Sequence, residues 1–181
     1  MVKGIRSSVP LEAPAVTVVD LSSQPHWITL LASWQHRQWR EAQGVQELSQ
    51  DVERRDIQSR QTSLQEHLLK QPVPKTLVAE AQGSPVGCIS LIHYSIAGDS
   101  SSRQHWISNF YVHPDWRNKG IGSRLLDRIE AYSREMGLAD IYLYTHDKQA
   151  FYRRRGWQLR GKATVEGQHV SILSKLVCQR A

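Results

Sequence analysis

The chain is poor in cysteine, with only Cys88 and Cys178 in 181 residues. Two thiols make neither a disulfide framework nor a metal-ligand spacing. Both sit in apolar runs, which predicts buried, reduced thiols, no metal, and a cytoplasmic setting. Long apolar runs are missing too, and none approaches the ~20 residues of a membrane span. The start, MVKGIRSSVPLEAPAV, is charged but has no continuous apolar stretch, so it does not read as a signal peptide. No repeat, linker or low-complexity tract divides the chain, and one domain over 1–181 is expected. The familiar phosphate-loop pattern G-x-x-x-x-G-K-[ST] is absent, and so is the third glycine of a dinucleotide fingerprint.

Against these absences, 40% of the residues are hydrophobic and 22% charged, enough to build a core. The net charge of +6 favours anionic partners, among them nucleic acid, acidic protein surfaces or a phosphate-rich cofactor. Ala15–Leu21 is β-branched and reads as a strand. Pro25 to roughly Trp39 carries a helical stripe through Trp27, Leu30, Leu31 and Trp34. Glu41–Ser59 is polar and reads as loop with a short helix. Leu64–Lys70 reads as a second helix, closed by Pro72 and Pro74.

Strands follow at Thr76–Ala81 and Val86–Tyr94, around a turn at Gly83-Ser84-Pro85. After a loop at Ala97–Arg103, His105–His113 is a further strand, followed by the loop Pro114-Asp115-Trp116. Ile121–Met136 is an amphipathic helix closed by Gly137. Ile141–Thr145 is a strand and Gln149–Arg155 a short helix ended by Gly156. Gln158–Val177 holds two strands around Gly167. The order predicts an α/β (mixed α+β) fold. Its sheet is mixed, mostly antiparallel, of about six to seven strands, and flanked by helices.

The sharpest local feature is Arg117-Asn118-Lys119-Gly120-Ile121-Gly122, after a strand and at the opening of a helix. Glycines let the backbone approach a ligand closely, and a first helical turn leaves N–H groups free within a positive dipole field. Together they suit a pyrophosphate. Arg117 and Lys119 can add charge-assisted hydrogen bonds of roughly 1.5–3 kcal/mol each.

Arg-x-x-Gly-x-Gly after a strand ending Tyr-Val-His-Pro resembles the acetyl-CoA signature of the GCN5-related N-acetyltransferase (GNAT) superfamily. Thr145-His146-Asp147-Lys148-Gln149-Ala150-Phe151-Tyr152 and then Gly156-Trp157 resemble its last helix and strand. The similarity spans roughly Thr76 to Val177. It implies an enzyme, an N-acetyltransferase in which an amine attacks the thioester of acetyl-CoA directly. The acceptor expected is a small-molecule amine or a peptide N-terminus, and the expected state a monomer or homodimer. The resemblance places Phe110, Tyr111 and Val112 along the pantetheine arm. It places Arg117, Asn118, Lys119, Gly120, Ile121, Gly122 and Ser123 around the pyrophosphate. Tyr152 takes the role of general acid toward the departing thiolate, a help of ~10²–10⁴ in rate. Cys88 as a nucleophile is the competing mechanism, and no adjacent motif activates it.

One departure is visible. Many family members carry a glutamate base on the central strand, and that place is Trp106 here, with no carboxylate between His105 and His113. His93, His105 and Glu80 remain as candidate bases. A weak base favours an amine of low pKa: an α-amine at ~7.7–8.0 is roughly a tenth to a fifth neutral near pH 7, and a lysine at ~10.4 far less. The same departure keeps open a non-catalytic acyl-CoA-binding regulatory domain. A basic nucleic-acid-binding module is the third reading, and the absence of basic residues alternating with an aromatic platform counts against it. The run Arg153-Arg154-Arg155 reads as a solvated face, a contact for the CoA 3′-phosphate or a contact for an acidic acceptor.

Overall fold

The computed structural model describes residues 15–96 and 103–178. Its centre is a seven-stranded sheet in the order β1-β2-β3-β4-β5-β7-β6. The strands are β1 (Val16–Asp20), β2 (Lys75–Ala81), β3 (Ser84–His93), β4 (His105–Val112), β5 (Asp140–Thr145), β6 (Gln158–Val165) and β7 (Gln168–Leu176). All neighbours pair antiparallel except β4 and β5, which are parallel. The expected mixed, mostly antiparallel sheet is therefore present. The expected loop at Ala97–Arg103 lies at 97–102 outside the described residues.

Two hairpins are closed by the same device. Gln82-Gly83 and Glu166-Gly167 each put two consecutive residues at positive φ, the mirror-image turn whose twist matches that of the strands it joins. The first turn is thus one residue earlier than Gly83-Ser84-Pro85, because Ser84 already pairs with Ala81.

Apolar residues alternate between two faces of the central strands, and each face is covered. Val78, Cys88 and Tyr111 pack with Leu31 and Trp34 of α1 (Ile28–Gln43). Leu77, Ile89 and Ile107 pack with Ile121, Leu125, Leu126 and Ile129 of α3 (Ile121–Glu135). Burial on both faces explains why β2 and β3 read as nearly continuous apolar runs.

The segment after α1 departs from the expectation of a loop, a short helix and a separate helix at Leu64–Lys70. Gly44, at φ 65, ends α1, and Gln50–Glu66 forms one helix, α2. Its start is set by Ser49, whose hydroxyl accepts from the Val52 N–H, with Asp51 and Glu53 in the first turn. α2 is polar on most sides, which hides it from an apolar periodicity. It docks on α1 through Leu64 and Ile57 and through charge: His36 lies 2.7 Å from Asp56, which also accepts from Arg60 Nε at 2.6 Å.

On the opposite face, Glu130 of α3 is buried. It accepts from the Trp157 indole at 2.9 Å and from Lys175 of β7 at 2.6 Å. Removing it leaves a buried indole N–H without its acceptor and the Lys175 ammonium with only the Arg155 carbonyl, 2.9 Å away. Glu130→Ala should lower stability by about 3 kcal/mol, read as a fall in the urea midpoint. An unchanged midpoint would show that the bridge is dispensable.

Candidate functional site

The site begins with a failure of pairing. β4 and β5 share a single register position, Trp106↔Tyr142. Toward the end of β4 the register with β3 slips between Cys88 and Ser90, and Asn109 there adopts φ 50, a bulge that bends the strand. The two strands diverge, and a cleft of about 670 Å³ opens between them. It is bounded by Ser108, Asn109 and Phe110 of β4, Tyr144 of β5 and His146 after it, Gln38 of α1, and Asp56 and Arg60 of α2. The β6–β7 turn contributes Glu166 and Gln168, and Tyr152 of α4 (Gln149–Arg154) completes it.

The bulge is held from behind by a buried polar run. Asn109 Nδ2 donates to Ser90 Oγ at 3.3 Å, Ser90 lies 2.8 Å from Thr76 Oγ1, and Thr76 lies 2.8 Å from His67 Nδ1. With His67 neutral and accepting at Nδ1, the protons of this run all point one way. Burial favours that state by holding the His67 pKa down to about 4. Cys88 completes the hold, its thiol donating to the Asn109 carbonyl at 3.4 Å. Burial pushes that thiol up to about 12, so no thiolate forms near neutral pH and the cysteine mechanism has no nucleophile here.

The expected cofactor residues fall into three groups. Phe110, Tyr111 and Val112 end β4. Tyr111 turns its ring into the α1 face, 4.9 Å from that of Trp34, while Phe110 and Val112 lie beside Gly122 on the opposite side. The Phe110 carbonyl accepts from Gln38 Nε2 at 3.1 Å.

Arg117, Asn118 and Lys119 form the turn. Arg117 Nε donates to the Val112 carbonyl at 3.0 Å, and Lys119 Nζ to the Asp115 carbonyl at 2.9 Å, lying 5.0 Å from the Trp116 ring. Asn118 and Gly120 both have positive φ. Gly120, Ile121, Gly122 and Ser123 open α3, where no side chain caps the first turn and no acidic residue occupies it. Ile121 is core. The Ser123 hydroxyl accepts from Arg155 at 3.0 Å.

That bond explains part of the basic run. Arg155 also reaches Asp127, so it ties α4 to α3, while Arg153 and Arg154 are exposed. Tyr152 stands edge-on between Phe151 and Trp157 at the cleft wall. Burial, reinforced by Asp147, pushes its hydroxyl up to about 12. Thr145, rather than Asp147, shapes the entry to α4, its hydroxyl accepting from the Lys148 N–H at 3.1 Å.

Of the candidate bases, His93, His105 and Glu80 do not line the cleft. His93 and His105 face each other across β3 and β4, ring centres 5.3 Å apart. The titratable groups that do line it include Asp56, Arg60, His146 and Glu166. Asp56 and Arg60 carried a usable signal, an acid–base pair at i,i+4 behind a serine cap. Glu166 carried none, since only the fold brings the β6–β7 turn opposite α1. Among the described residues, no cluster of three or more His, Cys, Asp or Glu could hold a metal, and no helix is long and apolar enough to cross a membrane.

The family model described as "Acetyltransferase (GNAT) family" matches residues 31–157. An amino-acid acetyltransferase from Azotobacter vinelandii is 30% identical over 149 residues, covering 80% of this chain and 33% of that protein. The chain therefore spans about a third of the length of that relative. An aminoglycoside 6′-N-acetyltransferase complexed with coenzyme A superposes with a TM-score of 0.64 at 18% identity, over 91% of this chain and 99% of that one. A PaiA N-acetyltransferase from Thermoplasma acidophilum in complex with coenzyme A gives 0.61 at 20% identity, over 90% and 99%. At these identities the likeness to the solved structures is one of fold.

The buried run behind the bulge yields a pH dependence. An unfolded histidine titrates near 6.5 and folded His67 at about 4. Between these values the unfolded chain binds the proton and the folded chain does not. Stability is therefore present above 6.5 and is lost as pH falls toward 4, by on the order of 3 kcal/mol. Urea midpoints across that window should fall for the wild type and fall less steeply in His67→Gln, where His105, whose pKa burial also lowers, still contributes. Parallel slopes would remove His67 as the cause.

Proposed function

The chain belongs to the acetyltransferase (GNAT) family, and from that footing we propose that it moves an acetyl group from acetyl-CoA to an amine by direct attack, as one catalytic unit. The observation that carries this is the diverged β4–β5 pair, with an uncapped helix start at one end and the half-buried Tyr152 in the cleft wall.

The residues suit an acyl-CoA. The start of α3 offers backbone N–H groups and a positive dipole to phosphate, with no carboxylate in the first turn to oppose it. Gly120, Ile121, Gly122 and Ser123 supply that backbone, with Arg117, Asn118 and Lys119 shaping and charging the turn before it. The Phe110 carbonyl takes an amide N–H from Gln38, so it suits the amide of a pantetheine arm between Phe110 and Val112. When bound, acetyl-CoA supplies an activated acetyl thioester.

Tyr152 is the proposed catalytic residue. With its pKa near 12 it is fully protonated at neutral pH. A thiol titrates near ~8.5, so outright transfer of the phenolic proton to a thiolate is uphill. Its role is then to donate a hydrogen bond to sulfur as charge builds there, which is weaker help than full general-acid catalysis. The cleft has no carboxylate on β4, and Trp106 stands at that place, which favours an acceptor of low pKa and keeps a non-catalytic acyl-CoA-binding domain as the second reading.

The test is CoA thiol release from acetyl-CoA against peptide N-termini, lysine peptides, polyamines, amino acids and aminoglycosides. The amino-acid arm follows from the name of the Azotobacter relative. Release that depends on one acceptor class establishes transfer and identifies the class. Acetyl-CoA binding without release from any of them supports the second reading. Tyr152→Phe should lower turnover by about 10- to 100-fold, the value of a hydrogen bond to a charged group, with acetyl-CoA affinity within about twofold. Full turnover in this variant would remove Tyr152 from the chemistry.

A further inference from the structure

One wall of the cleft is aromatic beyond the needs of the core. Trp106 is buried against Val165, Val170 and Ile172 at the back of this wall. In front of it, Tyr94 and Tyr144 remain 37% and 38% exposed. Tyr94 stands edge-on to Trp106 at 5.7 Å, and the Tyr94 and Tyr144 rings are 6.5 Å apart. All three line the cleft. Aromatic faces carry negative potential and attract cations.

A carboxylate completes the arrangement. Glu166 lies at the tip of the β6–β7 hairpin with φ 48, a position that glycine or asparagine fills more easily. It lines the same cleft, and its charge is one of the influences, after burial and Tyr94, that raise the Tyr144 pKa. Its carboxylate accepts from the neutral amide of Gln43 at 2.7 Å, and it forms no ion pair among the described residues. The other charges of the cleft largely offset one another, since Arg60 is bonded to Asp56 at 2.6 Å. A glutamate in a turn position costly for it, aimed at a cleft rather than at a basic partner, is a local conflict of the kind found at working sites.

We propose that Tyr94, Tyr144 and Glu166, backed by the buried Trp106, form a subsite for a second positive charge on the acceptor, so that the acceptor is an amine bearing another ammonium group. The proposal rests on the acetyl-transfer reading and deepens it. It also agrees with the lack of a β4 carboxylate, because a neighbouring ammonium lowers the pKa of the reacting amine and raises its neutral fraction. An acceptor carrying a carboxylate in this position would meet Glu166 and the negative ring faces.

Three probes share an amine and differ in the second group: spermidine, butylamine and γ-aminobutyrate. Binding of each to the full chain is followed by calorimetry, with acetyl-CoA titrated separately. Spermidine should bind at least about fivefold more tightly than butylamine, and γ-aminobutyrate more weakly than either. Glu166→Gln and Tyr144→Leu should each weaken spermidine about fivefold or more, and Glu166→Asp, which keeps the charge, should lose less. Acetyl-CoA affinity should stay within about twofold in all three variants, which also reports that they fold. Equal binding of spermidine and butylamine, tighter binding of γ-aminobutyrate, or an unchanged spermidine affinity in Glu166→Gln would overturn the subsite. Failure of acetyl-CoA to bind the wild-type chain would instead count against the transfer reading, so the two failures are distinct.

Discussion

The divergence of β4 from β5 is the constraint on which the rest of the molecule depends. Two parallel neighbours that pair only at Trp106 and Tyr142 leave backbone groups without a ladder partner inside a folded sheet. Such groups must be satisfied, and the Phe110 carbonyl is met by a side chain from α1. The cleft is therefore a product of β-sheet geometry, and its walls are whatever elements lie beside the opening. The bulge at Asn109 makes the divergence permanent, because Ser90, Thr76, His67 and Cys88 hold it from the protein side.

Around that opening the structure fixes the relative positions of α3 and α4, the elements that carry the glycine turn and Tyr152. Arg155 reaches from the end of α4 to Ser123 and Asp127 of α3. Lys175 joins the Arg155 carbonyl to Glu130. These contacts use charges that a reading of the chain alone leaves to a ligand or to solvent. The same is true of Arg60 and Asp56, which join α2 to α1 through His36 and present their remaining surface to the cleft.

Much of the architecture was legible along the chain. The seven strands, the amphipathic α3 and the glycine turn before it have local causes: β-branched runs between turn residues, an apolar stripe of helical period, and positive φ at Gly120. α2 was not legible as one helix, because few of its residues are apolar and its docking is largely ionic. The bases expected at His93, His105 and Glu80 were chosen for residue type and strand position. Those properties do not reveal which strand end faces the opening, and none of the three lines the cleft.

By itself the sequence determined the order of the strands, the family, and the segment from Tyr111 to Trp157 in which the glycine turn and Tyr152 occur, because these depend on residues close together in the chain. The tertiary structure alone decided which distant side chains share the cleft: Gln38 and Asp56 from the first helices, Tyr94 and Trp106 from the sheet, Glu166 from the last hairpin. It also decided that the Tyr152 hydroxyl is pushed up to about 12, and that Cys88 is a thiol sealed in the sheet. Both outcomes follow from desolvation, which depends on the neighbours a residue acquires in space and leaves no mark on its neighbours in sequence.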